Sequence, residues 1–207
     1  MWHIKTLSMN YKTLKIKSLL SIAFTAAVIM TSCKEPAAPV EEPQTEATPS
    51  QEELVARGQY LVGIMGCNDC HSPKVFGPQG PTLDTERLLS GHPADLVIGK
   101  YDPAIFSDWV LFNHHNTAAA GPWGVSFAAN LTSHETGIGN WTLDQFRKAL
   151  KEGKYKGLDG ARMLLPPMPW PNYANISEED LEAIFTYLKS TKPVQNIVPA
   201  PIPPAGA

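Results

Sequence analysis

Cysteine is scarce: the 207 residues hold three, at positions 33, 67 and 70. A disulfide framework needs more than that, and a single bridge between Cys67 and Cys70 would close too small a loop to stabilise much. No basic stripe is present and the formal net charge is −3, so nucleic acid finds no electrostatic footprint here. Nor is there an apolar run that crosses a bilayer comfortably; residues 19–30 (LLSIAFTAAVIM) are too short. A second CxxC or a short-spaced histidine pair is also missing, which argues against the four ligands of a structural zinc site. At 43% hydrophobic residues, the chain suits one domain of ordinary size with tails.

What is present starts with Lys5, Lys12, Lys15 and Lys17, which precede that apolar run, and Thr31, Ser32 and Cys33, which follow it. A positive region, a short apolar region and small residues before a cleavage point make an export signal over residues 1–32. The stretch MTSC resembles a bacterial lipobox, with Met30 where Leu is usual, and makes Cys33 the expected site of lipidation. The chain therefore reads as exported, periplasmic and anchored to a membrane by lipid. Residues 33–50 are rich in Pro, Glu, Ala and Thr, cannot bury enough apolar surface to fold, and read as a flexible tether. Residues 193–207 are Pro-rich and read as a tail that runs extended along the surface or trails into solvent. The folded unit is expected over residues 51–192.

Three helices carry local start signals. Ser50 with Glu53 has capping-box spacing, as does Thr142 with Gln145, and Ser177 with Asp180 gives an N-cap ahead of Leu181, Ile184, Phe185 and Leu188. Gly153 reads as the stop of the second. A fourth helix is expected from Asp102-Pro103 through Phe106, Trp109 and Val110. No strand alternation or hairpin signal stands out, so the expected class is all-α, with residues 72–140 as long Gly/Pro-rich loops wrapped around something other than protein.

The stretch GCNDCH, residues 66–71, decides the chemistry. CxxCH is the attachment signature of c-type haem: two thiols one helical turn apart add to the vinyl groups, and the adjacent histidine is placed to bind iron. Cys67 and Cys70 are the attachment candidates and His71 the proximal ligand. For the opposite axial position the chain offers Met168 in LLPPMPWPNY, where flanking prolines restrict the backbone and hold a thioether in place. Met163 is the alternative. His92, His114, His115 and His134 read as loop residues, and Met65, Trp123, Trp141 and Trp170 as packing or pocket walls.

The order of helix, CxxCH, long loops, Met on a proline loop and amphipathic last helix resembles the class I cytochrome c fold. The segments ARGQYLVGIMGCNDCHSP, LSGHPAD, FAANLTSHETGIGNWTLDQFRKALKEGK and LLPPMPWPNYANISEEDLEAIFTYLKS resemble the cytochrome c subunits and domains of membrane-linked alcohol and aldehyde dehydrogenases. The resemblance covers about residues 55–194 and implies one covalent haem c bound through Cys67 and Cys70, with His71 and Met168 as axial ligands. It also implies that the carbonyl of Pro81 accepts from the other nitrogen of His71, and that Gly58 and Tyr187 mark a close crossing of the first and last helices. Many such subunits carry two or three CxxCH motifs; this chain has one.

His/Met ligation saturates iron, which points to a one-electron carrier rather than an enzyme. Its expected partners are a redox protein donor and acceptor, such as a membrane-linked dehydrogenase or a terminal oxidase. A peroxidase-like or gas-sensing cytochrome with an opening distal site is the alternative from a different class.

Overall fold

Helix α1 (Gln51–Ile64) begins where the sequence supplies a reciprocal cap: the Glu53 N–H donates to the Ser50 hydroxyl at 3.3 Å, and the Ser50 N–H donates to the Glu53 carboxylate at 2.8 Å. The computed structural model describes residues 48–204. The export signal, Cys33 and nearly all of the expected tether lie outside the described residues. After Met65 and Gly66 the chain enters the short helix α2 (Cys67–His71). Helix α3 (Leu143–Glu152) carries the expected capping box of Thr142 and Gln145 and ends at Gly153 with φ 67°, a left-handed stop that suits glycine. Helix α4 (Glu178–Ser190) is capped by Ser177, whose hydroxyl accepts from the Asp180 N–H at 3.0 Å.

Apolar positions spaced at helical period meet in one core. Leu61 and Val62 of α1, Phe146 and Leu150 of α3, and Leu181, Ile184 and Leu188 of α4 are all buried there, with Leu89 and Ile138 from the intervening loops. Helices α1 and α4 cross closely at Gly58, where an added Cβ would lie 2.0 Å from the Ala183 carbonyl oxygen and 2.6 Å from Tyr187 Cβ. The Arg57 guanidinium forks onto Asp180 at 2.8 and 3.2 Å beside the crossing.

The all-α expectation is wrong. Strands β1 (Lys74–Gly77) and β2 (Gly80–Leu83) form an antiparallel hairpin in which Phe76 faces Pro81. Strands β3 (Leu111–Phe112), β4 (Ala118–Gly121) and β5 (Gly124–Phe127) form a second antiparallel sheet in the order β3-β4-β5. Two physical reasons hid them. Strand β4 reads AAAG and is buried at every position, so it has no in-out alternation to detect, and β1 and β2 are joined by two residues between glycines rather than by an Asn-Gly turn. The helix expected from Asp102 is a five-residue 3₁₀ turn, Pro103–Ser107; its cap is as read, with Asp102 accepting from the Ala104 N–H at 3.0 Å, but the chain leaves it toward β3.

Of the two courses expected for the C-terminal segment, its described residues take the one along the domain. Asn130 donates its side-chain amide to the Val194 carbonyl at 2.9 Å, and Val125 and Ile202 exchange backbone hydrogen bonds of 2.8 and 3.0 Å.

Candidate functional site

Five residues are too few to hold a helix alone, because nucleation costs more than one turn returns. Helix α2 is instead held at its C-terminal end by the surrounding chain. The Lys74 ammonium donates to the Ser72 carbonyl at 2.6 Å and to the Asp69 carbonyl at 2.9 Å. Asn116 donates to the same Asp69 carbonyl at 3.0 Å and comes within 3.6 Å of Cys70 Sγ. The Gly91 N–H donates to the His71 carbonyl at 2.8 Å, and the buried Ser72 hydroxyl links Asn68 Oδ1 to the Leu89 N–H at 2.8 Å each. The helix entry turns on Gly66, whose φ of 68° favours glycine.

His71 is fixed by its ring. Nδ1 lies 2.7 Å from the Ala129 carbonyl, which can only accept, so Nδ1 carries the proton and Nε2 keeps its lone pair. Burial lowers the imidazole's pKa from its ordinary value, which keeps the ring neutral at pH 7. The acceptor expected for this nitrogen was Pro81. That residue is exposed in β2 opposite Phe76, and the hairpin carries it into a ladder rather than to the imidazole. A backbone carbonyl is offered by every residue, so nothing in the letters FAAN singled out Ala129.

Cys67 and Cys70 are both free and half-buried. Burial, with Asp69 and Cys70 adding negative charge nearby, pushes the Cys67 thiol up to about 11. The same two causes, burial and Asp69, raise Cys70.

Met168 is half-buried and packs against the helical core, as do Cys67 and Tyr173. Met163 is 40% exposed and its backbone bridges to Lys154, which takes it out of the core. The Met168 loop is held at its start by the Leu164 N–H on the Gly153 carbonyl at 2.6 Å and further along by the Ser126 hydroxyl on the Pro166 carbonyl at 2.5 Å. Ser126, Asn116 and Lys74 were not singled out in the sequence: the first two act through partners 40 and 47 residues away, and Lys74 acts on backbone carbonyls that no residue type announces.

The other histidines have their own work. His92 is fully buried and bonds Thr117 Oγ1 at 2.9 Å and the Leu96 carbonyl at 3.1 Å, while His134 Nδ1 accepts from the Thr136 N–H at 3.1 Å. His115 Nδ1 accepts from the Lys74 N–H at 3.1 Å, and His114 is exposed. A cavity of about 640 Å³ is lined by Phe76, Leu96, Tyr101, Phe112 and His115, and none of Cys67, Cys70, His71 or Met168 borders it.

These residues fit a c-type haem: two neutral thiols on one short helix, a neutral imidazole with Nε2 free of protein partners among the described residues, and a thioether on a fastened loop. No helix among the described residues is long and apolar enough to cross a membrane.

No family model matches the chain. It is 30% identical over 139 residues to the gluconate 2-dehydrogenase cytochrome c subunit of Pantoea cypripedii, covering 67% of this chain and 23% of that one. It is 28% identical over 181 residues to the fructose dehydrogenase cytochrome subunit of Gluconobacter japonicus, covering 86% and 29%. It is 29% identical over 157 residues to the cytochrome c subunit of the quinone alcohol dehydrogenase of Gluconobacter oxydans, covering 74% and 25%. The chain thus spans less than a third of the length of these relatives, and in each case its similarity is to a dehydrogenase's cytochrome subunit.

Proposed function

We propose that the chain is a one-electron carrier with a single c-type haem, attached at Cys67 and Cys70 and ligated by His71 and Met168, and that lipid at Cys33 tethers it to a membrane. Electrons would pass from a dehydrogenase or another respiratory donor to an acceptor such as a terminal oxidase. The observation that carries the reading is the fixed imidazole: the Ala129 carbonyl takes the proton-bearing Nδ1 at 2.7 Å and leaves Nε2 for iron, at the end of a CxxCH helix. The haem, when bound, supplies the one-electron couple. The protein's part is to orient His71, to present Met168 from a loop with three prolines, and to keep both positions filled so that small ligands find no open site.

The relatives' names support a dehydrogenase as partner. Absorption spectra of the oxidised and reduced protein, with and without carbon monoxide, test the ligand set beside Met168→Ala. The expected wild type has the weak far-red band of Met-to-iron ligation and ignores carbon monoxide, and the variant loses both properties. A wild type that binds carbon monoxide readily would instead favour catalysis or gas sensing.

A further inference from the structure

The C-terminal segment holds none of the residues assigned to the haem, yet it is fastened to the domain at several points. Asn196 is its anchor. Its amide donates to the Ser90 carbonyl at 2.7 Å and the His92 carbonyl at 2.9 Å, its Oδ1 accepts from the Ala94 N–H at 3.0 Å, and its own N–H donates to Thr136 Oγ1 at 3.0 Å. Six residues later the backbone of Ile202 pairs with Val125, adding a rung to β5. Gly124 makes the approach possible, since a Cβ there would sit 2.0 Å from the Ile202 carbonyl oxygen.

The residue after Val125 is Ser126, a polar side chain only 8% exposed. Its hydroxyl has two acceptors in reach, the Pro166 carbonyl at 2.5 Å, two residues before Met168, and the Ala119 carbonyl at 3.3 Å; the shorter contact takes its one proton, and the oxygen accepts the Trp123 indole N–H at 3.3 Å. The Met168 loop has few other means of support. Pro166, Pro167 and Pro169 have no N–H to donate, and the Met168 N–H makes only a 3.3 Å bond to Leu165 within the loop itself. Beyond the Leu164 N–H at its start, the loop is left to be fastened through its carbonyls, and Ser126 fastens that of Pro166.

We infer that Ser126 is a positioning residue for Met168, and that the C-terminal segment acts as a strap that holds β5 where this hydroxyl reaches the loop. The inference deepens the reading of Met168 as iron's sixth ligand and rests on it. A thioether is a neutral, weakly held ligand, so the position of its loop decides whether it stays on the metal or yields to a competitor. Removing the hydroxyl leaves the Pro166 carbonyl without its donor, a loss large enough to change such an equilibrium about tenfold.

The test uses the full-length, haem-loaded protein as Ser126→Ala, Asn196→Ala, Ser126→Thr and Gly58→Ala, the last a general destabilisation at the crossing of α1 and α4, where an added Cβ meets Ala183 and Tyr187. Two quantities are read: carbon monoxide affinity of the reduced form, and the pH at which the oxidised form loses its far-red band. Ser126→Ala and Asn196→Ala are expected to gain carbon monoxide affinity about tenfold and to lose the band at lower pH. Ser126→Thr keeps the hydroxyl and stays near wild type, and Gly58→Ala lowers thermal stability without moving either readout. If both variants load haem and neither quantity changes, the strap has no hold on Met168 and the inference falls while the ligand assignment stands. A Met168→Ala protein that keeps the far-red band overturns the ligand assignment itself and the inference with it.

Discussion

Cys67 shows how one buried thiol ties folding to pH. Burial first, and the nearby Asp69 and Cys70 second, raise its thiol from an ordinary 9.0 to about 11. The folded apoprotein then holds this proton at pH values where the unfolded chain releases it. The resulting stabilisation is fully present below about pH 9 and is lost as pH rises through about 11. Two units of difference correspond to about 2–3 kcal/mol. Urea unfolding of the apoprotein is therefore expected to lose about that much stability between pH 9 and 11, and Cys67→Ala to flatten the decline. In the loaded protein the sulfur would be a thioether with no proton to release, so the slope should disappear there too. An apoprotein whose stability is level over this window would show that the thiol is not desolvated. His71 gives the complementary lesson: its candidacy as a haem ligand is legible in CxxCH, whereas the acceptor for its Nδ1 lies 58 residues away in a backbone carbonyl that no residue type announces.

At the scale of elements, the two glycines of α1, Gly58 in its middle and Gly63 in its last turn, make opposite predictions within one helix. Gly58 sits against the Ala183 carbonyl and Tyr187, so Gly58→Ala must push α1 and α4 apart and is expected to cost about 1–3 kcal/mol. Gly63 has nothing within 4 Å of an added Cβ, and Gly63→Ala should stabilise by about 0.5–1 kcal/mol through helix propensity. Urea midpoints of the two variants decide it; equal and small changes would mean that the helices do not cross where Gly58 stands. Helices α1, α3 and α4 were legible because their caps and apolar spacing are written locally, within four residues of each start. The strands were not. Residues of β4 and β5 such as Ala119 and Gly124 have low strand propensity, and what makes them strands is pairing and burial under neighbouring segments, one of which is the chain's own C-terminal strap.

At the scale of the molecule, the proposed carrier has to meet two partners in turn, and the lipid proposed at Cys33 would hold both encounters at a membrane. Effective concentration then substitutes for tight binding, which suits a carrier that must release each partner quickly. The expectation is concrete. Wild-type protein should sediment with membranes through a high-salt wash, and Cys33→Ser should appear in the soluble fraction with an unchanged haem spectrum and one haem per chain. Its reduction by a soluble chemical donor should match wild type, while its reduction by a membrane-bound dehydrogenase should fall at least tenfold at equal total concentration. If Cys33→Ser still sediments after the wash, lipid is not the anchor. If it is released and the dehydrogenase reduces it as fast as wild type, contact between the proteins supplies the encounter and the tether does not.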